Sequence, residues 1–501
     1  MSDAQGVINP PRRSVGRLIL RNTVFSVGAQ AALRGLSFLF TILITRTLGD
    51  AAFGQYSVVL AWAGLFSFIG DMGVTQYMTR EVARDSKRAA DLFWDTAALR
   101  FILSIAAMII TIGVAALKPD PYEPEVVLAI ALYTLSYFLQ AVLAPLQSVI
   151  AGNERLDILA VLAVLGQIIY MAVGGLFLFA GLNYVWLVVA SLVNLPVLIG
   201  LSAWAMRRNR LQPPRFHLTL RFWPRLLAAG MPFAMIQVAL TFNFQVDTLI
   251  LKAWQPNEVV GWYNAAYHLT RSLLILGSAL IVVIPITLAR EHAQNPKSIL
   301  PWYYRSTKFM AFIGLPLAVG GTLLADKIIR LLYGADYAPA AIAFAILIWD
   351  TPLLMYTALC GNLTTSIKKE RYSMLFYVSL AALNLILNLI FIPQYGIFTA
   401  AVTTVSAELT GALLFYRFFR REFGEGLGFK HMVRLVIAAG LMGVVVYLLR
   451  DYHLLINVTV SSVFYLVVVW LIRALTPEER DYLTGLVRRK LGPILRRGRA
   501  S

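Results

Sequence analysis

Arg34 and Arg271 each interrupt an apolar run long enough to cross a bilayer. A charge at that depth costs on the order of a few kcal/mol unless a partner or water meets it. Arg34 stands about ten residues into the run 24–45, and Arg271 about seven residues into the run 264–288 from the opposite side. At ~1.5 Å per residue in a core of about 30 Å, both come within a few Å of mid-depth. A guanidinium is a planar fork of donors suited to phosphate oxygens, so two at one level can grip an anionic group such as a diphosphate. His268, one turn before Arg271, shares its helix face and is a third anion-binding candidate. The competing reading makes each arginine the partner of a buried acid or carbonyl, and His268 a packed core residue.

Asp350 and Glu408 lie deepest among the acids. A carboxyl in apolar surroundings can exchange a proton or coordinate sodium, so these two are the ion-coupling candidates. Pairing with a buried arginine is their structural alternative. Asp71 and Asp247, nearer span ends, read as structural. The one cysteine, Cys360, and five scattered histidines give no metal site, and no cofactor is expected beyond a coupling proton or sodium ion.

The elements that must position these groups are membrane spans. Of the 501 residues, 59% are hydrophobic and only 14% charged, too apolar for an ordinary soluble domain. Apolar runs cover 24–45, 55–78, 98–117, 126–149, 158–180, 184–205, 228–251, 264–288, 309–325, 340–364, 373–393, 396–416, 435–449 and 455–472. The expected class is therefore an all-α integral membrane protein of about fourteen transmembrane helices. Thirty-six of the 44 Lys and Arg fall on the side shared by both termini and six on the other. Basic residues stay on the cytoplasmic side, so both termini are expected there. The net charge of +18 thus marks topology and does not mark nucleic-acid binding. No h-region with a cleavage site precedes the first span, and no connection is long enough for a catalytic domain, which argues against an enzyme.

Short pieces repeat. Phe53-Gly54-Gln55-Tyr56 matches Val260-Gly261-Trp262-Tyr263, Glu154-Arg155 matches Glu370-Arg371, and Ser191 before Asn194 matches Ser406 before Glu408. The offsets are nearly constant, as expected of two pseudo-repeated six-helix lobes with a site between them. The expected organisation is a cytoplasmic tail (1–22), an N-lobe (23–206), a basic cytoplasmic linker (207–225), a C-lobe (226–418) and two further helices (419–474). An amphipathic basic tail (475–501) would lie on the anionic inner leaflet.

Further pieces are Arg46-Thr47-Leu48-Gly49, Asp71-Met72-Gly73 before Thr79-Arg80-Glu81, and Gly230-Met231-Pro232-Phe233. They continue with Leu332-Tyr333-Gly334, with Asn384-Leu385-Ile386-Leu387-Asn388 before Ile392-Pro393-Gln394-Tyr395-Gly396, and with Ser406-Ala407-Glu408. In this order, over nearly the whole chain, they resemble the polysaccharide-unit flippases of the MOP superfamily, relatives of lipid II flippases and MATE exporters. The resemblance implies two lobes around a central cavity that opens alternately to either side, with Arg34 and Arg271 facing it. It also implies an undecaprenyl-diphosphate-linked glycan as substrate, flipped across a bacterial inner membrane for O-antigen, capsule or exopolysaccharide assembly. Membrane lipids are expected contacts, polysaccharide polymerase or ligase machinery expected partners, and a monomer suffices. A lipid II flippase and a MATE-like cation exporter are the alternatives. Mid-depth arginines favour an anion over a cation.

Overall fold

The computed structural model describes residues 12–117, 122–211, 216–277, 299–367, 369–424 and 429–474. Among these it contains fifteen α-helices and no strand. They are α1 (Arg12–Phe66), α2 (Val74–Arg84), α3 (Arg88–Ala116), α4 (Pro124–Gly152), α5 (Leu156–Phe179), α6 (Val185–Arg208), α7 (Trp223–Trp254) and α8 (Asn257–Ser272). There follow α9 (Ile299–Leu323), α10 (Ala325–Tyr333), α11 (Ala340–Leu347), α12 (Asp350–Ser366), α13 (Glu370–Phe423), α14 (Phe429–Leu448) and α15 (Leu454–Leu471).

Helix is what such runs must form in lipid, where each backbone N–H and C=O has to be satisfied within its own segment. The outside is apolar: Ile105, Ile109, Leu165, Ile168, Val436 and Leu466 are exposed. The inside holds Ser104, Thr111, Asn388, Thr403 and Asn457. Helices in lipid pack through small and polar residues, since apolar surface gains nothing by leaving the tails. The chain is a multi-pass membrane protein.

Among the described residues nine helices are long and apolar enough to cross a membrane, against the fourteen spans expected. Part of the difference is continuity. Helix α1 runs through two expected spans with a bend at Gly49 (φ 78°), and α13 through two more with a bend at Gly396 (φ 58°). Only glycine enters this backbone region without a steric penalty. Gly181, at the corner between α5 and α6, also has positive φ and stands 215 positions before Gly396, the offset of the sequence repeat.

Three expected spans are reshaped. The run 55–78 leaves helix at Phe66, turns through Met72 (φ 45°) and Gly73 (φ 71°), and resumes as the separate helix α2. The run 264–288 is helical from Asn257 to Ser272, turns at Leu273 and Leu274 and is helical again over 275–277, with 278–298 outside the described residues. The run 340–364 is two helices, α11 and α12, broken at Ile348 and Trp349. The tail 475–501 and residues 1–11 also lie outside the described residues, while 12–22 of the expected N-terminal tail is the first part of α1.

In the first half α3 packs on α4, α4 on α6, and α1 on α5; in the second, α7 packs on α13, α8 on α11, and α12 between α9 and α13. Helices α14 and α15 pack together and onto α9. The halves meet where α1 lies along α8 and α7, and where α2 lies along α7. Glycines set the approach at two seams. A Cβ on Gly54 would lie 1.9 Å from the Asn257 carbonyl oxygen, and one on Gly261 would lie 2.1 Å from that of Asp50. Each glycine faces backbone one turn before the other, so the two copies of the repeated tetrapeptide pair reciprocally. At the second seam a Cβ on Gly73 would meet the Gly230 carbonyl oxygen at 2.1 Å, and one on Gly230 that of Met72 at 2.5 Å.

Side chains clasp both seams. At the first, the Trp262 indole N–H donates to Asp50 Oδ2 (2.8 Å) and the Tyr337 hydroxyl donates to the Gly49 carbonyl (3.0 Å). At the second, the Arg80 guanidinium lies 5.8 Å from the centre of the Phe233 ring. The linker before α7 is held to the first half by Asp95, whose Oδ1 accepts from the Thr219 backbone N–H (2.7 Å) and the Trp223 indole N–H (3.1 Å).

Candidate functional site

A cavity of about 630 Å³ opens where α1 meets α8, with α7, α12 and α13 completing its wall. Helix α1 contributes Gln30, Arg34, Ser37, Phe38 and Thr41, and α8 contributes Asn264, Tyr267, His268 and Arg271. Both sets follow spacings of three and four, so each is one helix face turned to the cavity. Arg34, Arg271 and His268, the three residues singled out for anion binding, all border it.

Like charges need a reason to share one wall. Arg34 Nη1 donates to the backbone carbonyl of Arg271 at 3.5 Å. That carbonyl lies in the last turn of α8, where the helix dipole is negative and a cation is favoured. Arg271 is turned the other way: its Nη2 donates to the Tyr267 hydroxyl at 2.6 Å, and its guanidinium carbon sits 4.8 Å from the Tyr267 ring centre. The break of α8 after Ser272 thus anchors one arginine with backbone while an aromatic ring one turn earlier steadies the other. His268 is exposed to the cavity, with its ring 6.3 Å from that of Phe53. Among the described residues that border the cavity, Arg34 and Arg271 are the only charged groups.

Asp350 and Glu408 are not on the wall but behind it. Both are buried, and Arg271 lies within electrostatic reach of each. Glu408 accepts a hydrogen bond from the Thr357 hydroxyl. Asp350 opens α12, and its Oδ1 has no hydrogen-bond partner among the described residues. The three groups form one charge cluster with the arginine nearest the cavity.

Sequence reasoning missed two polar assemblies. The Asp247 carboxylate is 2% exposed and accepts from the Tyr263 hydroxyl (2.7 Å), the Thr404 hydroxyl (2.8 Å) and the Asn388 amide. Asn388 continues to Asn384 (2.8 Å) and Thr403. Six side chains from α7, α8 and α13 thus form one buried network, centred on a carboxylate that the sequence marked only as structural. In the first half, Arg100, at the start of the apolar run 98–117, lies inside α3, 7% exposed, paired with Asp71 and Thr75. The signal for both was present in the residue types and hidden in the register. Among the described residues no group of three or more His, Cys, Asp or Glu is placed to hold a metal ion.

Comparison with known proteins places this architecture. The profile of a family described as polysaccharide biosynthesis protein matches residues 19–289. The chain is 22% identical over 388 residues to the "Probable low-salt glycan biosynthesis flippase Agl15" of Haloferax volcanii, covering 76% of this chain and 79% of that one. It is 23% identical over 334 residues to the "Succinoglycan biosynthesis transport protein ExoT" of Rhizobium meliloti, covering 65% and 64%. Among solved structures, the lipid II flippase MurJ in an inward closed conformation superposes with a TM-score of 0.76 at 16% identity, over 90% of this chain and 98% of that one. An inward-facing multidrug resistance MATE family transporter of the MOP superfamily superposes with a TM-score of 0.60 at 16% identity, over 79% and 94%. At these identities the structural likeness is one of fold.

Proposed function

The chain belongs to the polysaccharide biosynthesis protein family, and from that premise we propose that it is a flippase carrying an undecaprenyl-diphosphate-linked oligosaccharide from the cytoplasmic to the outer leaflet. The observation that carries this reading is the pair Arg34 and Arg271 on one cavity wall, with no carboxylate beside them among the described bordering residues. Two forked cations in a low-dielectric pocket suit a diphosphate and disfavour an organic cation. Names of relatives with flippase or glycan transport activity support the same class.

The head group crosses through the cavity while the polyprenyl tail stays in lipid, and the two halves open alternately at the two glycine seams. No bond is made or broken. Asp350 and Glu408, coupled to Arg271 from behind, are the groups through which a proton or sodium ion would sense an occupied site. Both termini lie in the cytoplasm of a cell with an inner membrane, and the carried glycan feeds a surface polymer.

The test is leaflet-resolved accumulation of lipid-linked oligosaccharide in cells depleted of the protein, read with an impermeant sugar-modifying probe. Build-up on the cytoplasmic leaflet with loss of surface polymer is expected. Loss of cell-wall synthesis with intact surface polymer would mark a lipid II flippase instead, and altered sensitivity to cationic drugs alone would mark an exporter.

A further inference from the structure

Beside the arginine cavity lies a second chamber of about 240 Å³. Ala358 and Tyr377 border both. Along α12 the bordering positions run in one stripe, Leu354 and Ala358 on the first chamber, then Asn362 and Thr365 on the second. These spacings of three and four keep one helix face in view, so the chambers are consecutive along it. The second lies nearer the Ser366 end, which the proposed topology puts at the cytoplasmic side.

The two differ in chemistry. No charged residue borders the second chamber among the described residues; its polar groups are Asn362, Thr365, Ser373 and Tyr377. Their hydrogens are largely committed to backbone carbonyls. Asn362 Nδ2 donates to Ala358 (2.9 Å), Thr365 to Gly361 (2.9 Å), Ser373 to Gly361 (3.4 Å) and Tyr377 to Thr357 (3.2 Å). Apart from one amide hydrogen of Asn362, these groups have mainly oxygen lone pairs left to offer. Such a wall accepts from hydroxyl groups and repels ionised phosphate oxygens, which have no hydrogen to give. Gly361 keeps the wall open, because a Cβ there would lie 2.4 Å from the Tyr377 hydroxyl oxygen.

We propose that this chamber is a sugar subsite that takes the first, uncharged pyranose ring next to the diphosphate held by Arg34 and Arg271. The inference rests on the flippase reading above and adds a second recognition element to it. In the lipid-linked donor the first ring is bonded directly to the diphosphate, so it must occupy space adjoining the anion site. The adjoining space is the one whose exposed groups complement hydroxyls. Specificity for the first sugar then resides on α12 and α13, apart from the arginines.

The experiment uses the full chain in lipid nanodiscs and compares binding of undecaprenyl diphosphate with that of undecaprenyl diphosphate bearing one glucose, galactose or N-acetylglucosamine. At least one sugar-bearing probe should bind about tenfold more tightly than the bare diphosphate, the expectation for two or so added hydrogen bonds. The double variant Asn362→Leu/Thr365→Val should abolish that advantage and leave bare-diphosphate affinity unchanged, and Gly361→Ala, which presses on Tyr377, should reduce it in the same selective way. Arg34→Ala should weaken both kinds of probe. No sugar advantage in the wild type, or equal weakening of both probes by the α12 variants, overturns the subsite while a dependence on Arg34 leaves the anion site standing. Unchanged binding of both probes in Arg34→Ala would instead remove the reading on which the subsite rests.

Discussion

Two kinds of intramembrane arginine stand in this molecule, and their surroundings separate them. Arg100 in the first half is enclosed and answered by Asp71 and Thr75. Arg34 and Arg271 border a cavity, one held by a carbonyl and the other by a tyrosine ring and hydroxyl. An intramembrane charge is therefore not a functional marker by itself. Arg100 meets its carboxylate away from the cavity, whereas Arg34 and Arg271 stand on the cavity wall, where a ligand can reach them.

The sharpest way to break this comparison is Arg100→Ala. Removing one partner of a buried pair typically costs about 3–5 kcal/mol, so abundance and the thermal unfolding midpoint in detergent should both fall steeply. Normal folding with lost export would move Arg100 into the functional class. Next come Arg34→Ala and Arg271→Ala, which should each abolish polymer export in a complementation assay at wild-type abundance. Export retained in both would leave the anion site without support.

Smaller effects sharpen the distinction. Arg34→Lys and Arg271→Lys should restore export only in part, because a point charge replaces a bidentate fork; full restoration would mean that charge alone suffices. Asp350→Asn and Glu408→Gln should change the dependence of export on pH or sodium with little loss of protein. An unchanged ion dependence would class the two acids with Asp71, as structural partners of an arginine.

The cavity was expected from the family resemblance, and the common level of Arg34, His268 and Arg271 was legible because they lie on helix faces. Spacings of three and four put His268 with Arg271, and counting rise per residue brought Arg34 to the same level. What stayed hidden depends on breaks and long-range partners. Apolar residues continue past Phe66 and past Ser272, so nothing in the hydropathy pattern marks the ends of α1 and α8. Asp91 and Asp95 delay the start of the apolar run to 98, whereas α3 already begins at Arg88. Asp247 finds Asn388 and Thr404 across 141 and 157 positions, a pairing that no local pattern encodes. The tetrapeptide repeat was visible as similarity, while its two copies touching each other was not.

That contact also restricts how the halves can move. A slip of α1 past α8 by one helical turn, about 5.4 Å, would bring Asp50 or Val58 to the place of Gly54, or Asn257 or Ala265 to that of Gly261. All four carry a Cβ, and at Gly54 a Cβ would stand only 1.9 Å from a carbonyl oxygen. Translation by a turn along the helix axes is opposed by steric overlap, whereas separation perpendicular to them has only the Trp262–Asp50 and Tyr337–Gly49 hydrogen bonds of the clasp to break. In the proposed cycle the seam would act as a keyed joint, able to close again only in the register it left.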